Sequence, residues 1–134
     1  AHGHTAGDEV LRMFAEIVTA GVRADDVVAR LGGEEFAVLL PNATLEKAAE
    51  VAERIRHAVA ERALVLSCPA GARTLQITAS IGAGALAEDA DDAQRLLAAA
   101  DTALYAAKRG GRNRVGRGEP ASGSRYSTTD ESAA

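Results

Sequence analysis

Arg30-Leu31-Gly32-Gly33-Glu34-Glu35-Phe36 decides how this chain reads: two glycines and then two carboxylates stand between two β-prone runs. Before them lies Asp26 to Leu31, and after them the apolar Phe36 to Leu40, stopped by Pro41-Asn42. The pattern predicts a tight β-hairpin. Glycine accepts the positive φ that hairpin turns demand, and having no side chain it lets another molecule approach the backbone closely. Adjacent acids beside such an opening suit a hard divalent cation, which in nucleotide enzymes takes one or two carboxylates together with phosphate oxygens. Gly-Gly turns and surface glutamates are each common, so these letters alone leave a plain hairpin with solvated acids equally open.

Composition bounds the rest. At 134 residues one domain is the natural count, and 47% hydrophobic residues suffice for a core. Aromatics are only 3% and Trp is absent, so that core is built from Ala, Val, Leu and Ile. The single cysteine, Cys68, forms no internal disulfide, and its sequence neighbours offer nothing to activate it. Nothing resembles a signal peptide or an apolar run long enough to span a membrane, which points to the cytoplasm. A net charge of −4 argues against DNA as a partner.

The coarse pattern is α/β. Val10, Leu11, Phe14, Ile17 and Val18 recur at helical spacing over about residues 7 to 21. Thr44 caps a second helix whose apolar face is Leu45, Ala48, Ala52, Ile55 and Val59, with Glu46, Lys47, Glu50, Glu53, Arg54 and Arg56 on the wet side. Residues 64 to 68 and 74 to 81 read as strands around a Pro69-Ala70-Gly71 turn, the second with Leu75, Ile77, Ala79 and Ile81 alternating. A third helix runs from about Asp92 to Lys108 and a short strand from Asn113 to Val115. Residues 117–134, poor in large apolar side chains, are expected to form a disordered tail.

Three further features are ambiguous as they stand. Lys108 to Arg117 interleaves cations with glycines, which suits phosphate but equally suits a helix end, where cations meet the dipole and Gly110-Gly111 stops the helix. Arg23 and Asp26, three apart, make either a guanine- and phosphate-recognising pair or a local surface ion pair. Gly82-Ala83-Gly84 lacks the rest of a dinucleotide fingerprint and is assigned no cofactor.

The motifs in order resemble the GGDEF domain of diguanylate cyclases. The resemblance runs through Gly3-His4-Thr5-Ala6-Gly7-Asp8-Glu9-Val10-Leu11, the hairpin tip, Thr78 to Gly82, Ala100 to Lys108 and Gly111-Arg112-Asn113-Arg114-Val115, and covers residues 1–116. It implies a ferredoxin-like, antiparallel-rich sheet flanked by helices, and the condensation of two GTP molecules into cyclic di-GMP by two such domains meeting as a homodimer. Gly32, Gly33, Glu34 and Glu35 would form the catalytic tip, with Glu34 and Glu35 holding Mg²⁺ or Mn²⁺. His4, Asp8, Lys108 and Arg112 would bind GTP, Asp8 reading guanine and the two cations the phosphates. Arg23 and Asp26, with Arg54, match the inhibitory site at which the family binds its own product. The family pattern opens with a further strand and an Asp-x-x-x-Phe-Lys-x-x-Asn-Asp segment, and Ala1 falls after it. That strand is central in the family sheet and carries a metal-binding aspartate. The chain is therefore expected to be a truncated domain, weak or inactive alone, with two unpaired strand edges that invite pairing with another segment. The alternatives are a non-catalytic cyclic di-GMP-binding module, against which the intact acids argue, and a non-functional fragment.

Overall fold

The computed structural model describes residues 6–32, 35–86 and 93–118, together with the backbone of 127–133. Helix α1 is Ala6–Ala20, strand β1 Val27–Gly32, strand β2 Glu35–Leu40 and helix α2 Leu45–Glu61. Strands β3 (Ala63–Cys68), β4 (Gly71–Gln76) and β5 (Ala79–Ala85) follow, then helix α3 (Ala93–Arg109), β6 (Val115–Arg117) and β7 (Ser127–Ala133). Five strands form one sheet in the order β1-β2-β7-β5-β6, all antiparallel except the β5/β6 pair, while β3 and β4 make a separate hairpin.

The helices form for the reasons their spacing gives. On α1, Met13, Phe14, Ile17 and Val18 are buried, and the Phe14 ring meets that of Phe36 on β2 with centroids 5.1 Å apart. Thr44 caps α2, its side-chain oxygen accepting from the Lys47 N–H at 3.1 Å. Behind it Ala48, Ala52, Ile55 and Val59 pack into one cluster with α1 and with Phe36, Val38, Ile81 and Ala83 of the sheet. The opposite face of β5 and β6 receives α3. There a side chain at Gly82, Gly84, Gly116 or Gly118 would strike the α3 main chain, at 2.1 Å from Ala100 O in the case of Gly82. The Gly82-Ala83-Gly84 run is thus the floor on which a helix lies, facing Ala99, Ala100 and Leu104.

Two expectations are corrected. The strand read over 74 to 81 is two strands: β4 ends at Gln76 in the hairpin with β3, and β5 begins at Ala79 in the main sheet. Every residue of β5 is buried, with helices on both sides, so its alternation carried no sign of where the chain changes sheet. The tail, expected to stay unordered beyond residue 116, instead supplies β6 through Arg117 and, at 127–133, a strand paired along its whole length with β2 and β5. Two facing rows of unpaired N–H and C=O groups can be satisfied by main chain alone, so a polar segment fills a place that composition would not have assigned to it.

Candidate functional site

The backbone at Gly32, where β1 ends, is open. Gly32 pairs with Glu35 after a register shift between Arg30 and Gly32, which draws Gly32 into the ladder rather than leaving it at the centre of the turn. Its φ is 148°, which favours glycine, and a Cβ built there meets nothing within 4 Å. Glu35 opens β2 and is exposed, as is Leu31. Gly33 and Glu34 lie outside the described residues, as does His4. Asp8 sits in the first turn of α1 and is exposed, where a carboxylate also complements the helix dipole.

At the far end of α3, Lys108 and Arg112 share one turn. Gly110 N–H donates to Ala106 O at 2.8 Å and Arg112 N–H to Ala107 O at 3.0 Å, closing the helix. Gly111, Arg112 and Asn113 then follow at φ 121°, 62° and 48°. Glycine is favoured at 111 by its φ of 121°, which side chains rarely adopt, and the mobile end of Arg114 lies over it, Nη2 standing 2.7 Å from where a Cβ would be. The turn is tied to the sheet where Ile81 N–H donates to Arg114 O and Asn113 N–H to Ser80 Oγ. No hydrogen bond or ion pair joins Glu35 to Lys108 or Arg112 among the described residues.

Arg23 and Asp26 close one turn, and Arg54 reaches the chain just ahead of it. Asp26 Oδ2 accepts from the Arg23 main-chain N–H at 2.7 Å, and the Asp26 N–H returns to Arg23 O at 3.0 Å, so the pair closes a turn through the backbone. Of the two readings of this pair, the surface ion pair is not formed: Arg23 is exposed and meets no carboxylate among the described residues. Asp26 Oδ1 is buried and has no hydrogen-bond partner among the described residues. From α2, Arg54 Nη2 donates to Gly21 O at 2.9 Å, fixing that guanidinium two residues before the turn. Beside it a cleft of about 330 Å³ runs between α1 and α2, lined by Ile17, Gly21, Arg54, Ile55 and, at its rim, the Arg62–Glu16 ion pair at 3.3 Å.

Sequence reading missed Arg56. Its position on α2 placed it on the wet face, yet its side chain is only 18% exposed. Its Nε and Nη2 donate to the two oxygens of Glu53 at 2.8 and 2.6 Å, and Nη1 donates to Asn113 Oδ1 at 2.7 Å. Arg56's hydrogen bonds hold the Glu53 carboxyl below the usual carboxylate range, and the same pairing raises Arg56 itself. The Arg56–Asn113 link spans 57 residues, and no local spacing announces it.

Known proteins are similar to this chain over most of its length. The family model "Diguanylate cyclase, GGDEF domain" matches residues 1–114. Diguanylate cyclase A of Treponema denticola is 41% identical over 114 residues, 85% of this chain and 30% of its own length. The first curated relatives are matched over 24% to 31% of their length, so this chain spans a minor part of each. Among solved structures, the active GGEEF domain of a diguanylate cyclase from Vibrio cholerae superposes with a TM-score of 0.71 at 32% identity, covering 89% of this chain and 72% of that one. The GGDEF domain of DgcB from Caulobacter crescentus, in complex with c-di-GMP, gives 0.66 at 31% identity over 86% and 64% of the two chains. With the motifs, the sheet and its flanking helices all in agreement, the chain belongs to the GGDEF domain family of diguanylate cyclases.

Proposed function

We propose that this chain provides one GTP half-site of a diguanylate cyclase, in which the 3′-hydroxyl of one GTP attacks the α-phosphate of another. Two such attacks release two pyrophosphates and leave cyclic di-GMP, so two domains must face each other as a homodimer. The observation that carries the reading is the Gly32-Gly33-Glu34-Glu35 signature between two paired strands, with open space at Gly32. Lys108 and Arg112 would take the phosphates, and His4 and Asp8 the nucleoside end, where a carboxylate accepting from guanine N1 and N2 selects against adenine.

Among the described residues no group of three or more His, Cys, Asp or Glu could hold an ion unaided. Glu34 and Glu35 would hold Mg²⁺ or Mn²⁺ in company with phosphate oxygens, the usual habit of these ions in nucleotide sites. A bound ion would neutralise phosphate charge and lower the pKa of the attacking hydroxyl. An acid at the tip would assist its deprotonation. GTP as substrate fits a cytoplasmic domain, and no helix among the described residues is long and apolar enough to cross a membrane. Labelled GTP with Mg²⁺ tests the reading: cyclic di-GMP that disappears in Glu34→Ala, Glu35→Ala supports it, and product unchanged by that substitution refutes it. A folded chain that makes no product is not a cyclase by itself.

Asp26 Oδ1, buried and without a partner among the described residues, in one turn with an exposed Arg23, favours a second reading, binding of cyclic di-GMP at Arg23, Asp26 and Arg54. A guanine N–H would satisfy that oxygen, and the arginine fork would meet a guanine edge or a phosphate. Arg23→Ala is expected to abolish tight cyclic di-GMP binding, and unchanged affinity would return the turn to a purely structural role. Loss of binding without any turnover by the parent chain would identify a sensing module.

A further inference from the structure

The turn that carries Arg112 is held from the other side of the fold. Arg112 and Asn113 stand in succession at φ 62° and 48°, a region that costs energy for residues with a Cβ and persists only where the surroundings over-determine it. Asn113 is fixed at both ends. Its N–H donates to the oxygen of fully buried Ser80 at 3.2 Å, and its Oδ1 accepts from Arg56 at 2.7 Å. Arg56 has little freedom in turn, because two of its nitrogens are committed to both oxygens of Glu53. That fork-to-fork pairing leaves Nη1 directed at the loop.

We propose that Arg56, locked by Glu53, is a positioning residue for the phosphate-binding turn, acting through Asn113 to hold the left-handed backbone from which the Arg112 side chain departs. The inference rests on the reading of Lys108 and Arg112 as phosphate ligands. A cation on a freely sampling loop must be ordered at the moment of binding, and that ordering is subtracted from affinity. Arg56 makes the ordering part of folding instead. The same hydrogen bonds hold Glu53 below its ordinary range and Arg56 above it, so the pair stays charged in the neutral region.

The test is calorimetric titration of the chain with GTP plus Mg²⁺ and, separately, with inorganic triphosphate, for the parent, Arg56→Gln, Asn113→Gly and the double variant. Each single variant is expected to raise Kd for both probes about tenfold, and the double variant to be no worse than either, because both remove one link. Asn113→Gly keeps or raises Tm, since glycine takes this backbone without strain, so its loss of affinity does not report instability. Arg56→Lys is expected not to rescue, having no planar fork to bridge Glu53 and Asn113. Unchanged Kd in Arg56→Gln and Asn113→Gly would overturn the proposal while leaving the phosphate reading in place. Absence of triphosphate binding by the parent, or binding unaffected by Lys108→Ala with Arg112→Ala, would overturn that reading and this inference together.

Discussion

Gly82→Ala should move a whole helix with one methyl group. A Cβ at residue 82 would stand 2.1 Å from Ala100 O, 2.3 Å from Leu104 N and 2.8 Å from Leu104 Cα, whereas ordinary contact begins at 3.4 Å. All three obstacles belong to the α3 main chain, so no rotamer change relieves them and the helix must retreat by more than an ångström. Gly84 and Gly116 bear on the same helix at 2.8 and 2.2 Å, so lifting α3 loosens the entire seam that buries Leu96, Ala100, Ala103, Leu104 and Ala107. Overpacking a tight core costs typically about 1–3 kcal/mol, and a main-chain obstacle puts this case at or above about 3 kcal/mol. For a domain whose total stability is of order 5–15 kcal/mol that is a large share. Urea unfolding followed by circular dichroism should show the midpoint falling at an unchanged slope. Gly21→Ala is the control, because its nearest obstacle is the Ile55 side chain at 3.0 Å, and it should cost less than about 1 kcal/mol. A Gly82→Ala loss below about 1 kcal/mol, or one equal to that of Gly21→Ala, would refute the steric argument.

Thr44→Ala removes the oxygen that accepts from Lys47 N–H and should destabilise by about 1 kcal/mol in thermal unfolding, with no change expected if the cap is idle. The folded carboxyl of Glu53 lies below its unfolded value, so its pairing stabilises the fold above the ordinary glutamate range near about 4.3 and is lost as pH falls through the folded value. The parent should therefore lose more stability than Glu53→Gln on acidification below about pH 5, and equal losses would remove the pair from the account.

Much of the fold was legible in the chain because it is written locally. The helices follow apolar residues at a 3.6-residue period, Thr44 marks a start, and Pro69-Ala70 turns β3 back on β4 with Cys68 paired to Gly71. The β1–β2 hairpin likewise follows from two β-prone runs about a glycine pair. Legibility failed where burial erased periodicity, as in β5, and where one partner lies far along the chain, as with Arg56 and Asn113. The candidate site divided the same way. Arg23 and Asp26 were visible as a spaced pair, but only the fold joined them through the backbone and brought Arg54 to Gly21 O.

The sequence by itself determined the three helices, the β1–β2 pairing and the family, since each depends on residues within a few positions of one another and on motifs in a fixed order. Tertiary structure alone decided that a polar C-terminal segment lies between β2 and β5, that a Gly-x-Gly run serves as the seat of a helix, and that Arg56 clamps the turn bearing Arg112. Those outcomes turn on unsatisfied strand edges, close main-chain approach and one planar side chain reaching across the fold. Such forces act between residues that only folding brings together.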